Sequence, residues 1–204
     1  MTVQVDFIFD ITSPNVFLAH KIVPEIEDRT GVNFNYVPVL LGGIFKATNN
    51  QPPMMTMGNV TGRFDYERIE FARFLKKHNI TNFKMNSAFP VHSVLMQRCA
   101  IAAKERGELR PYLDAALDAT WTQDKNLKTA EAIEEILNAA GLNSAEILEA
   151  AQSDEIKGAL MNNTSEAVKR GCFGAPTFYV GKEMFFGKNT LREIEEEIIA
   201  QKNA

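Results

Sequence analysis

Apolar and polar positions alternate with three different rhythms along this chain. Residues 3–9 (VQVDFIF) are apolar and β-branched enough for a central strand. Phe17, Leu18, Ile22, Val23 and Ile26 then recur at helical spacing. Pro14 suits the first turn of that helix, where a missing N–H costs nothing, and Gly31 can end it. Residues 32–39 (VNFNYVPV) alternate like a half-buried strand. The result is a β-α-β unit, for which parallel pairing and a right-handed crossover are expected. Residues 40–62 break the rhythm. They are rich in Gly, Asn, Pro and Met and read as a long loop, of the kind that is usually functional or mobile.

Helical periodicity resumes at 63–78, 91–106, 109–121, 129–140, 144–151 and 153–170. Thr129 and Ser144 read as N-caps, each with an acidic residue (Glu131, Glu146) in the first turn. Gly171 reads as the residue just past a helix end. Residues 177–180, a Gly181-Lys182 turn and residues 183–186 read as a β-hairpin, and 190–201 as a closing helix. No repeat or low-complexity segment interrupts this order. The pattern predicts an α/β fold, with β-α-β at one end, β-β-α at the other and a large all-helical insertion between. Residues 1–42 and 171–204 would form one core, and 43–170 the insertion with its loop at 43–62.

Composition narrows the partners. With 204 residues, the chain can bury one sizeable core. A net charge of −4 argues against nucleic acid or an anionic membrane as a general partner. The two cysteines, Cys99 and Cys172, form no CxxC and read as small buried apolar residues in a reducing compartment. The N-terminus enters a strand pattern directly, and no apolar run approaches the length of a membrane span, so a cytoplasmic protein is expected. Three isolated histidines, without HxxxH or a cysteine cluster, predict no metal site.

The candidate chemistry sits at Ser13-Pro14. A hydroxyl stands there where a strand ends and a helix begins, and the helix dipole favours negative charge at that point. A plain helix N-cap is the rival reading. Ser13 as a nucleophile would need an oriented base; neither a triad pattern around His20, His78 or His92 nor a GxSxG elbow supports that.

With its cysteines absent, this junction resembles the thioredoxin-like CPxC site, here Ser13-Pro14-Asn15-Val16. Four segments carry a closer resemblance: Phe9-Asp10 to Ser13-Pro14, Gly43-Ile44-Phe45-Lys46 to Asn50-Gln51-Pro52-Pro53, Gly171-Cys172-Phe173-Gly174-Ala175-Pro176-Thr177-Phe178, and Phe185-Phe186-Gly187. Together they cover nearly the whole chain. They resemble the thioredoxin-like branch of bacterial disulfide oxidoreductases, kappa-class glutathione transferases and 2-hydroxychromene-2-carboxylate isomerases. Serine at 13 points away from the disulfide oxidoreductases, and Gly-Ala-Pro-Thr-Phe is more similar to the isomerases.

The resemblance implies a homodimer with glutathione as cofactor and a small aromatic-catabolism intermediate as substrate. The glutathione thiolate would add reversibly to the conjugated substrate without being consumed. Ser13 would hydrogen-bond the sulfur, and the Ala175 main chain, before Pro176 in the cis-proline position, would pair with the cysteinyl backbone. Asn50 would hold the glycyl end. Lys188 and Asn189 fall where relatives carry Ser-Asp to grip the γ-glutamyl amine. The bland readings are a turn proline at Pro176, a loop asparagine at Asn50, a solvated turn at Lys188 and Asn189, and core packing for Trp121 and Phe45. Two other functions remain open: a kappa-type transferase that consumes glutathione, and a non-catalytic thioredoxin-like binding module.

Overall fold

The computed structural model describes residues 3–204; the first two positions of the expected 1–42 segment lie outside the described residues. The chain begins with β1 (Val5–Phe9), α1 (Pro14–Thr30) and β2 (Phe34–Pro38). Eight helices follow: α2 (Leu41–Thr48), α3 (Pro53–Thr56), α4 (Arg63–Lys77), α5 (Val94–Glu105), α6 (Leu109–Trp121), α7 (Ala130–Ala139), α8 (Ser144–Ala150) and α9 (Asp154–Lys169). The end is β3 (Thr177–Val180), β4 (Glu183–Phe186), a single 3-10 turn (Lys188–Thr190) and α10 (Leu191–Asn203).

The sheet order is β2-β1-β3-β4. β1 pairs parallel with β2 and antiparallel with β3, and β3–β4 is the expected hairpin. All five residues of β1 are buried: four are apolar, and Asp6 is paired with Arg170 at 2.7 Å and Asn35 at 2.8 Å. Its Phe7 stacks on Phe178 of β3 with ring centroids 4.5 Å apart. Each such fully buried ring contributes about 1.5–3 kcal/mol. One hydrophobic cluster runs from these strands through α1 into α5, α6 and α7, reaching Met96, Tyr112, Trp121 and Leu137. Trp121 is core: its Nε1 donates to the Ile11 carbonyl at 2.9 Å, which fixes the chain just before Ser13.

Two local expectations need correction. The segment 40–62 is not one loop, because α2 and α3 form within it. Leu41, Ile44 and Thr48 give α2 a helical stripe, and its start is held from outside by Asp10 Oδ2, which accepts the Leu41 amide at 2.8 Å. Gly43 lets this helix approach α9; a Cβ there would lie 3.1 Å from the Thr164 methyl. Ser144 is also not a cap. Asn143 caps α8 by accepting the Glu146 amide at 3.3 Å, while Ser144 is buried and donates to Asn138. Asn143 stands one residue before the helix, where its side-chain oxygen meets the first-turn N–H of Glu146, and Ser144 is thereby the first helical residue. Thr129 caps α7 by accepting the Ala132 amide, and Gly171 follows α9 at φ 91°.

Candidate active site

Ser13 stands at the C-terminal end of β1, 6% exposed. Its backbone is that of a helix N-cap: extended, with its carbonyl accepting the Val16 amide at 3.0 Å. Its side chain does not cap. Oγ instead donates to the carbonyl of Ala175 at 3.0 Å, across 162 positions of sequence. The N-cap reading therefore describes the backbone and fails for the hydroxyl. A hydroxyl released from capping α1 but anchored at its N-terminus can stabilise an anion there.

The fold brings Ala175 and Pro176 to Ser13. The Ala175–Pro176 peptide is cis and both residues are buried. The Pro176 carbonyl accepts the Gly187 amide at 2.9 Å, which brings the 188–189 turn alongside. Upstream, Phe173 and Phe186 face each other with centroids 4.4 Å apart. Gly174 makes room for that ring, since a Cβ there would lie 2.8 Å from Phe186.

Lys188 is engaged elsewhere than a solvated turn would allow. It is 4% exposed. Its Nζ reaches both carboxylate oxygens of Glu70 at 2.8 and 2.7 Å and Asn189 Oδ1 at 3.4 Å. The same ammonium lies 5.6 Å from the Phe71 ring centroid and 5.1 Å from that of Phe74. It thus ties α4, whose one buried residue is Phe74, to the 3-10 turn that follows β4. Asn189 remains exposed. Asn50 is exposed just past the end of α2, with its amide donating to the Phe45 carbonyl at 2.9 Å.

Two residues escape a sequence reading. Glu70 looks like any surface acid on an amphipathic helix. Asp10 carries a signal in retrospect, as an acid closing an apolar strand. It is 1% exposed. Its carboxylate accepts the amides of Thr12 and Leu41, and Ser93 lies close enough to favour its ionised form. Burial raises its pKa from 3.8 to about 6, against the opposing pull of those three neighbours. The folded chain therefore binds this proton more tightly than the unfolded chain. The stability so gained is complete below pH 3.8 and is lost as pH rises through about 6. Denaturation of the wild type and Asp10→Asn between pH 4 and 7 should show it. The wild type is expected to lose up to about 3 kcal/mol more than the variant over that range. Parallel profiles would show that Asp10 does not titrate in this window.

Gln97, fully buried, completes the bracket beneath Ser13. Its Nε2 donates to the Phe9 and Val39 carbonyls at 2.9 and 2.8 Å, and its Oε1 accepts the Ile11 amide at 3.3 Å. His20 lies apart, its ring between Tyr36 and Asp114 at 3.1 and 2.8 Å. The hydroxyl that it meets is that of Tyr36, so no triad forms on Ser13. Among the described residues, no group of His, Cys, Asp and Glu could hold a metal ion, and no helix is long and apolar enough to cross a membrane.

Known proteins resemble this arrangement from end to end. A family model for the DSBA-like thioredoxin domain matches residues 4–199. Glutathione S-transferase kappa 1 of Caenorhabditis elegans is 25% identical, with 95% of this chain and 89% of that protein covered. The 2-hydroxychromene-2-carboxylate isomerase of Sphingobium xenophagum is 23% identical, with 98% and 100% covered. The solved structure of a 2-hydroxychromene-2-carboxylate isomerase superposes with a TM-score of 0.83 at 20% identity, covering 98% of this chain and 97% of that one.

Proposed function

This chain belongs to the DSBA-like thioredoxin domain family, and from that premise we propose that it binds glutathione at Ser13 and isomerises an aromatic-catabolism intermediate of the 2-hydroxychromene-2-carboxylate type. The observation that carries the reading is the Ser13 hydroxyl. It is buried at a helix N-terminus and bonded to Ala175 beside a cis proline, in a site that has no cysteine. The residues fit a tripeptide thiol. Ser13 supplies a donor for the sulfur, the Ala175 main chain an edge for peptide backbone, and Asn50 and Asn189 exposed polar side chains to either side.

Bound there, glutathione would supply a thiol nucleophile that adds reversibly to a conjugated substrate. The chain itself orients that thiol and holds the proton balance in favour of its anion. Ser13 turns its single proton from the Ala175 carbonyl to the sulfur, and the first turn of α1 adds its dipole. A general base is not required. Lys188 supports the site through Glu70 and α4, and Asn189 is left to meet the γ-glutamyl end. The buried, unpaired Cys99 and Cys172 support action in the reducing cytoplasm.

Calorimetric titration with reduced glutathione at millimolar concentration tests the cofactor. Binding is expected, with the bound thiol titrating below its free value of about 8.5. No binding would overturn the proposal. Incubation with a hydroxychromene-type substrate then separates two enzymes: unchanged total glutathione supports isomerisation, and stoichiometric loss supports the kappa-type transferase.

A further inference from the structure

Asp10 does not enter the proposal above, yet its carboxylate holds the turn before α1 and the first residue of α2. Its Oδ1 accepts the Thr12 amide at 3.0 Å, on the turn that presents Ser13 and opens α1. Its Oδ2 accepts the amide of Leu41, the first residue of α2, at 2.8 Å. Ser93, the N-cap residue of α5, lies beside it and favours its ionised form. Helix N-termini favour negative charge, and the start of α2 is placed to supply that at one acceptor-only group.

The same carboxylate links both ends of the candidate site. Thr12 precedes Ser13, which reaches Ala175. Leu41 opens the helix whose far end positions Asn50, through the Asn50 amide and the Phe45 carbonyl at 2.9 Å. We propose that Asp10 is the positioning residue of this site: by holding Thr12 and Leu41 on its two oxygens at once, it sets Ser13 at the correct span from Asn50. The proposal rests on the reading of Ser13 and Asn50 as glutathione contacts.

The chemistry is specific to an ionised carboxylate. A protonated carboxyl carries a hydroxyl on one oxygen, a weaker acceptor than a carboxylate oxygen, so the hydrogen bond from one of the two amides weakens. The groups that surround Asp10 are otherwise neutral: Thr12, Leu41, Ser93 and Gln97, with Thr164 of α9 accepting the neighbouring Leu40 amide at 3.0 Å. His92, the titratable neighbour of Ser93, is exposed. The equilibrium at Asp10 therefore reports on the site itself.

Amide NMR of the full chain from pH 4.5 to 8, without ligand, tests this. In the wild type the amides of Thr12, Ser13, Leu41 and Asn50 are expected to shift together, with one midpoint at about 6, where the Asp10 carboxyl titrates. In Asp10→Asn that shared transition should vanish. If Thr12 and Leu41 titrate while Ser13 and Asn50 stay still, Asp10 serves the fold alone and the proposal falls. Should the variant not fold, the wild-type titration decides by itself.

Glutathione affinity by calorimetry is the second readout. Between pH 7 and pH 5 the wild type is expected to lose up to about tenfold more affinity than Asp10→Asn, the ratio of ionised Asp10 at those two pH values. Equal losses would overturn the proposal. If neither protein binds glutathione at any pH, the cofactor reading fails, and the amide titration still decides whether Asp10 sets Ser13 against Asn50.

Discussion

Ser13→Ala is expected to raise the pKa of bound glutathione by about one unit and to lower turnover about tenfold or more. The magnitude follows from the hydroxyl having a single proton. In the structure that proton is spent on the Ala175 carbonyl at 3.0 Å. A hydrogen bond to a thiolate, worth roughly 1.5–3 kcal/mol, replaces a neutral one worth about 0.5–1.5 kcal/mol. The net gain is about 1–1.5 kcal/mol, or one pKa unit. The helix N-terminus adds about 0.3–1 kcal/mol, and up to about 2 where partly buried. Alanine removes the first contribution and leaves the second. Thiolate absorbance of the bound cofactor, followed against pH in both proteins, measures the change directly. An unshifted thiol with unchanged turnover would remove Ser13 from the chemistry and return it to the role of a helix start.

Glu70→Ala is expected to destabilise the fold by about 3 kcal/mol, the largest stability loss foreseen for a single polar side chain here. The substitution leaves the Lys188 ammonium 4% exposed and without its counter-ion. Removing one partner of a buried pair costs about 3–5 kcal/mol. The Glu70 side chain is itself 25% exposed, so water can reach the ammonium once the carboxylate is gone. The lower end of the range is therefore appropriate. Adding Lys188→Met should recover most of the loss, because a thioether packs well against the Phe71 and Phe74 rings and brings no charge to bury. Urea denaturation of the two single variants and the double variant closes the cycle. If Glu70→Ala alone shifts stability by less than about 0.5 kcal/mol, the pair is a surface contact and α4 is held by other means.

These two outcomes bear differently on function. Loss at Ser13 should leave the fold intact, since its hydroxyl bonds to one carbonyl at the rim of the core. Loss at Glu70 loosens α4 and with it the turn that carries Asn189. A drop in glutathione affinity in Glu70→Ala beyond its stability loss would tie α4 to the γ-glutamyl end.

The framework of this molecule was legible in the chain because its signals are local. The largely apolar β1, the alternation of β2 and the hairpin turn at Gly181-Lys182 each fix an element within a few residues. Thr129 and Gly171 mark helix ends through chemistry that reaches only one turn. Ser13-Pro14 and Pro176 were visible for the same reason, as short motifs at element boundaries. The two helices within 40–62 were not, since glycine, asparagine and proline lower local helix preference and the first of those helices is secured from outside, by Asp10 on Leu41.

What only the tertiary structure decided is which groups meet. The Ser13 hydroxyl bonds to Ala175 rather than capping its own helix, across 162 positions, and Lys188 is neutralised by Glu70 across 118. Asp10 ties the turn before α1 to the first residue of α2, two segments that share no pattern in the sequence. Local periodicity and capping determine elements because backbone hydrogen bonds and side-chain spacing act over three or four residues. Burial, and the pairing it enforces on polar groups inside, exists only once distant segments have closed over one another, and that closure brought an ordinary serine, lysine and aspartate to their buried partners.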